Sequence, residues 1–140
     1  MAVRFSTTRR VEFVDTDVAG IVHFSNFFRY MESGEAEFLR SLGLSFKMTW
    51  QGQSLAFPRV AASCDYLSPA RFEDVLDVAV RVEKVGRKSV TYSFDFSLRG
   101  EAVAKGRVTT VCCRVNPDRS FVSIEIPAEI RAKLEPAPTS

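Results

Sequence analysis

The chain has 140 residues, a net charge of +2, 46% hydrophobic and 26% charged residues. This is the balance of one globular domain, 1–140, able to bury a core without staples, and it excludes a general affinity for nucleic acid or anionic membrane. Three cysteines (Cys64, Cys112, Cys113) and the single histidine argue against a disulfide framework and a Cys/His zinc set, and no apolar run reaches signal-peptide or membrane-span length, so reduced thiols in a cytoplasmic protein are expected.

Val3, Phe5, Val11 and Phe13 alternate loosely, which predicts a strand over about 3–14. Asp15 to Gly20 is polar and contains a glycine, so it reads as a loop. Phe27, Phe28, Met31, Phe38, Leu39 and Leu42 then share one face at helical spacing. With Ser25 or Asn26 as cap and Gly43 as the terminating glycine, they predict a helix of about five turns. Two residues interrupt that face. Gly34 costs about 1 kcal/mol relative to Ala and suggests close backbone approach, and Glu35 is a carboxylate that must be paired if buried.

Residues 44–56, with Trp50, Gln51, Gly52 and Gln53, read as irregular. Four strands follow. Pro58, Val60, Ala62, Cys64 and Tyr66 mark the first, and Leu76, Val78, Val80 and Val82 the second. Val90, Tyr92, Phe94, Phe96 and Leu98 mark the third, and the apolar run Val103 to Val115 the more enclosed fourth. Turns at Ser68-Pro69, Gly86-Arg87 and Arg99-Gly100 separate them in hairpin succession, and Asn116-Pro117-Asp118 ends the last. A short helix around Ala128 to Leu134 and a frayed tail from about 135 complete the chain. One apolar helix face and one apolar sheet face must cover each other, which gives an α+β fold: a curved antiparallel five-stranded sheet wrapped around one long central helix.

The twelve phenylalanines, several of them between Phe24 and Phe57, suggest an aromatic core element, an apolar ligand slot, or both. Chemistry concentrates between Val11 and Phe28, where Asp15 and Asp17 stand in a loop directly before a helix N-terminus. A carboxylate there can attack a carbonyl or deprotonate water, and unpaired helix N–H groups can hold the oxygen that becomes negative during acyl transfer. Gly20 lets the backbone approach a ligand closely. The same two aspartates also suit turn and helix capping, and the residues alone leave both readings open.

The run Asp15-Thr16-Asp17-Val18-Ala19-Gly20-Ile21-Val22, followed by Ser25-Asn26-Phe27, resembles the signature of the 4-hydroxybenzoyl-CoA thioesterase family. The likeness extends through the strand, helix and four-strand order to Arg87-Lys88-Ser89. It implies the hot-dog fold and hydrolysis of an aromatic or short- to medium-chain acyl-CoA to free acid and CoA, with no metal or redox cofactor. It also implies a homodimer with sites between subunits, often paired again into a homotetramer. By position, Asp17 resembles the nucleophile or general base, and the Phe24 N–H resembles the donor to the thioester oxygen. Asn26 and Phe27 resemble residues at the acyl end, and Gly20, His23 and Glu32 stand as further substrate contacts. Arg87, Lys88 and Ser89 resemble the residues that meet the nucleotide and phosphates of CoA.

One branch of the family carries its loop histidine where this chain has Phe24, so His23 suits packing as well as a site role. Glu32 and Glu35 are the rival carboxylates, because another hot-dog group places its catalytic glutamate on the central helix. The fold also serves non-catalytic acyl-CoA binding and hydratase or dehydratase chemistry. These are the two alternative functions, the second of which would draw on His23.

Overall fold

The computed structural model describes residues 3–135. The first strand is shorter than its alternation predicts. β1 (Phe5–Arg10) gives way to a 3-10 turn, Phe13–Asp15, so Val11 is buried while Phe13 and Val14 are exposed. α1 (Asn26–Ser41) has 16 residues, or about four and a half turns. It buries Phe27, Tyr30, Met31, Gly34, Glu35, Phe38 and Leu39. Gly43, at φ +77°, ends it in a Schellman motif. The Leu44 N–H donates to the Leu39 carbonyl at 2.8 Å and the Gly43 N–H to the Arg40 carbonyl at 3.0 Å.

Residues 44–47 are irregular as expected, but 48–56 form a hairpin, contrary to the irregular reading. β2 (Met48–Trp50) and β3 (Gln53–Ala56) join through Gln51 and Gly52, at φ +49° and +77°, the geometry of a two-residue primed turn. β4 (Arg59–Tyr66), β5 (Val75–Val85), β6 (Ser89–Leu98) and β7 (Glu101–Val111) follow the predicted runs. The run Val103 to Val115 is not one strand. It breaks at Cys112, and β8 (Cys113–Val115) pairs with β3 and with an unforeseen β9 (Phe121–Ser123). α2 (Ala128–Leu134) lies where predicted, and the tail expected to fray, 136–140, falls outside the described residues.

The strands form two antiparallel sheets, β1-β5-β6-β7-β4 and β2-β3-β8-β9. β4 does not form a hairpin with β5. It occupies the far edge beside β7, while β5 lies beside β1. The connection 67–74 therefore has to run across one end of the sheet, below the start of α1.

α1 lies on a sheet face built by Val78, Val80, Tyr92, Phe94, Phe96 and Val108, all buried. Phe38 meets Tyr92 edge-on at 6.2 Å, and Phe27 meets Phe96 at 5.4 Å. Gly34 approaches side chains, not backbone. A methyl group there would stand 3.5–3.7 Å from Val78, Val80 and Phe94, an ordinary contact. The tighter position is Gly106 in β7, where a methyl group would meet the Sδ and Cε of Met31 and the end of that side chain would have to shift.

Candidate active site

Backbone hydrogen bonds build the loop between β1 and α1. The Asp17 N–H donates to the Ile21 carbonyl at 2.8 Å and the Gly20 N–H to the Asp17 carbonyl at 2.9 Å. The tight connection closes on Gly20 at φ +80°, a conformation that costs a residue with a Cβ. Val22 N–H donates to the Ala70 carbonyl at 2.8 Å and Ile21 bridges to Arg71, which fastens the loop to the crossing segment.

The side chains beside Asp17 are occupied in seating the loop. One Asp15 carboxylate oxygen accepts the Glu12 N–H at 2.9 Å and the Tyr30 hydroxyl at 2.8 Å. Burial, and then the bond to Asp15, raises the Tyr30 phenol well above its ordinary range, which keeps it a donor. The Asn26 amide donates to the Asp15 carbonyl at 2.8 Å, and the His23 N–H donates to the same oxygen at 2.9 Å. Asn26, expected at the acyl end, fastens the loop through this bond.

Asp17 keeps one carboxylate oxygen free. Its Oδ1 accepts the Ala19 N–H at 2.8 Å, and its other oxygen has no partner among the described residues. Half-buried, it lines an open cleft of about 530 Å³ together with Ile21, Val22, Phe24, Phe27, Tyr66 and the crossing residues Leu67 to Ala70. At the start of α1, the N–H groups of Asn26, Phe27 and Phe28 donate back to the carbonyls of His23, Phe24 and Ser25 at 2.9, 3.4 and 3.2 Å. The Ser25 N–H faces His23 Nδ1 at 3.3 Å. This extra turn consumes donors that a helix start otherwise leaves unpaired. The Phe24 N–H is left without an acceptor among the described residues.

Tyr66, at the end of β4, anchors this helix start. Its hydroxyl donates to the Phe24 carbonyl at 3.0 Å, and its ring lies edge-on to Phe27 and Phe24 at 5.6 and 6.4 Å. The strand alternation includes Tyr66 but gives no sign of this role, which depends on where β4 lies in the sheet. His23 stacks on Phe24 at 4.5 Å and its Nδ1 stands 2.8 Å from the Ser25 hydroxyl, outside the cleft lining. Ser25 holds the cap position without a side-chain capping bond.

The remaining expected residues lie elsewhere. Glu32 is exposed on α1. Glu35 is 2% exposed, and its Oε1 accepts from Arg59 at 3.0 Å. Burial raises its carboxyl, and Arg59 opposes that rise. Burial likewise raises the Cys64 thiol, the opposite of an activated nucleophile. Arg87 and Lys88 are exposed in the β5–β6 turn, and Ser89, the first residue of β6, is half-buried. Arg87 pairs with Glu125, and Arg131 donates to the Gly86 and Arg87 carbonyls at 2.6 and 3.2 Å. This turn and the cleft occupy opposite ends of the 11-residue β5, on the order of 30 Å apart. Among the described residues, no cluster of three or more His, Cys, Asp or Glu side chains could hold a metal ion, and no helix is long and apolar enough to cross a membrane.

Residues 19–105 match the family model of the thioesterase superfamily. A protein of Aquifex aeolicus, named no more closely than as an esterase, is 35% identical over 132 residues, covering 94% of this chain and 98% of that protein. The 1,4-dihydroxy-2-naphthoyl-CoA hydrolase of Nostoc punctiforme is 31% identical over 131 residues, 94% of this chain and 86% of that one. The crystal structure of a 1,4-dihydroxy-2-naphthoyl-CoA thioesterase from Synechocystis superposes with a TM-score of 0.78 at 26% identity, covering 93% of this chain and 94% of the other.

Proposed function

Because this chain belongs to the thioesterase superfamily and is a thioester hydrolase, we propose that it hydrolyses an acyl-CoA, with Asp17 as the reacting carboxylate and the Phe24 N–H as oxyanion donor. One observation carries the reading: Asp17 and Phe24, seven residues apart, line the same apolar cleft, and one Asp17 carboxylate oxygen and the Phe24 N–H both lack partners among the described residues.

The thioester carbonyl oxygen accepts the Phe24 N–H, which stabilises the charge that gathers there as the carbonyl carbon becomes tetrahedral. The free oxygen of Asp17 attacks that carbon, or takes a proton from a water that does. The C–S bond breaks, and CoA leaves as a thiolate that is protonated. In the nucleophilic route, water then cleaves the acyl–aspartyl anhydride and frees both the acid and Asp17. Phe24, Phe27 and Tyr66 along the cleft favour an aromatic acyl group, as do relatives named for a naphthoyl-CoA. No metal or redox cofactor enters the scheme, and CoA arrives as part of the substrate.

The acting unit in this proposal is a homodimer, with a pair of dimers as the homotetramer. β4 is an edge strand, and Val60 and Tyr66 on it are 60% and 46% exposed. Such an edge is an open template for another strand. Antiparallel pairing with the β4 of a second copy would bring that copy's β5–β6 turn to the end of the sheet that carries Asp17. The separation that keeps Arg87, Lys88 and Ser89 from the cleft of their own chain would be bridged in this way. Lysine and arginine suit the CoA phosphates there.

The test is thiol release from benzoyl-, 4-hydroxybenzoyl-, 1,4-dihydroxy-2-naphthoyl-, hexanoyl- and palmitoyl-CoA. Release is expected to be fastest with the aromatic esters. Palmitoyl-CoA as the best substrate would overturn the aromatic assignment. Tight binding with no release from any ester would favour the non-catalytic module instead.

A further inference from the structure

We infer that Arg59, held by Glu35, is a specificity residue that a second copy of the chain supplies to the cleft, where its guanidinium receives a hydroxyl or carbonyl oxygen at the far end of the acyl group. This inference rests on the thioesterase reading and its paired β4 strands.

Ala62, Cys64 and Tyr66 stand opposite Val108, Gly106 and Ala104 of β7, all of them buried, and directly opposed residues share a face. Ser63 and Asp65 stand opposite Arg107 and Lys105, and they border a shallow polar hollow with Arg81 and Asp95 on the outer face. Arg59 and Tyr66 are seven positions apart, which in a regular strand would put them on opposite faces. The ladder shifts between Arg59 and Ala61, so that Arg59 stands opposite the buried Thr110. The extra residue of this bulge returns Arg59 to the helix face. The strand is thus symmetric in its facing about Ser63, with an inward residue at each end.

Two such strands overlap fully, with inward opposed to inward at every position, when they pair antiparallel about Ser63. Slipping the register by one residue would oppose inward to outward positions. Full overlap sets Arg59 directly across from the partner's Tyr66, with Cα atoms about 5 Å apart. Tyr66 walls the cleft of its own chain, so each cleft gains an arginine from the other copy.

Arg59 is already poised for that role. Nη2 donates to the buried Glu35 at 3.0 Å, and the guanidinium lies 4.9 Å over the Phe46 ring. Its other N–H groups have no acceptor among the described residues. With its charge matched by Glu35, it is suited to a neutral oxygen acceptor.

The experiment co-expresses two differently tagged chains, one carrying Asp17→Asn and the other Glu35→Gln with Arg59→Met. The paired change avoids leaving Glu35 as a buried, unmatched charge. The readout is the ratio of kcat/KM for 4-hydroxybenzoyl-CoA over benzoyl-CoA. In the Glu35→Gln/Arg59→Met homodimer this ratio should fall about tenfold, the effect of one hydrogen bond from a charged donor. The heterodimer holds one site in which Asp17 and the partner's Arg59 are both intact, so it should regain the wild-type ratio. A heterodimer that keeps the variant ratio would overturn supply from the second copy, and a variant homodimer with the wild-type ratio would overturn the role of Arg59. Arg59→Lys, which keeps the charge pair but loses the fork, must also lower the ratio, and it serves should the double variant not fold. Wild-type protein that releases thiol from neither ester would overturn the thioesterase reading itself, and this inference with it.

Discussion

Asp17, in the loop before α1, and Glu35, in the second half of that helix, stand in opposite settings. At its start, Asp17 is half-buried on a loop whose geometry comes from backbone hydrogen bonds and from its neighbours Asp15 and Asn26. Asp17, which lines the cleft, spends one oxygen on Ala19, and its other oxygen has no partner among the described residues. In its second half, Glu35 is sealed at 2% exposure and committed to Arg59. The contrast teaches that a carboxylate is made available for chemistry by relieving it of structural duty. Around Asp17 that duty has passed to other residues, whereas Glu35 cannot leave its partner without exposing the core to an unmatched charge.

The comparison can be broken first at the fasteners. Asn26→Ala removes the bond to the Asp15 carbonyl and frees the loop that carries Asp17. We expect kcat to fall about ten- to a hundredfold, since a misplacement near 1 Å suffices for that, with about 1 kcal/mol lost in denaturant unfolding. If KM changed with acyl group while kcat held, Asn26 would be an acyl contact after all.

The helix–sheet contact offers a paired test of smaller effect. Gly106→Ala should destabilise by about 1–3 kcal/mol, because Met31 must leave its seat. Gly34→Ala should be neutral or stabilising by up to about 1 kcal/mol, because its methyl group meets only ordinary contacts and alanine favours helix. Equal losses in urea unfolding would show that α1 sits closer to the sheet than described.

The smallest effect concerns pH. Burial raises the folded-state value of Glu35 above that of the unfolded chain. Its contribution to stability is therefore full below the unfolded carboxyl range and is lost as pH rises through the raised folded value. Glu35→Gln cannot titrate, so the Tm of wild type relative to this variant should decline across that interval. A difference that stays constant with pH would contradict the assignment.

Much of this was legible in the sequence because it is periodic. The apolar stripe of α1 and the alternation in β5, β6 and β7 register the same buried face from both sides. Three-residue β2, β8 and β9 and four-residue β3 are too short to show a period. Alternation in β4 indicates which residues share a face but not which strand lies beside it, so the crossing that floors the cleft stayed hidden. Asp17 stood out through its motif. Tyr30 and Tyr66 did not, because their hydroxyl bonds reach across 15 and 42 residues.

In the proposed reaction, Asp17 alone among these carboxylates acts on the thioester. The most direct measurement is single-turnover hydrolysis of 4-hydroxybenzoyl-CoA by Asp17→Asn, with an unchanged thermal melt as proof of folding. A loss of about 10²- to 10⁴-fold with Tm held is expected. Turnover near wild type in the folded variant would contradict it and turn attention to Glu32.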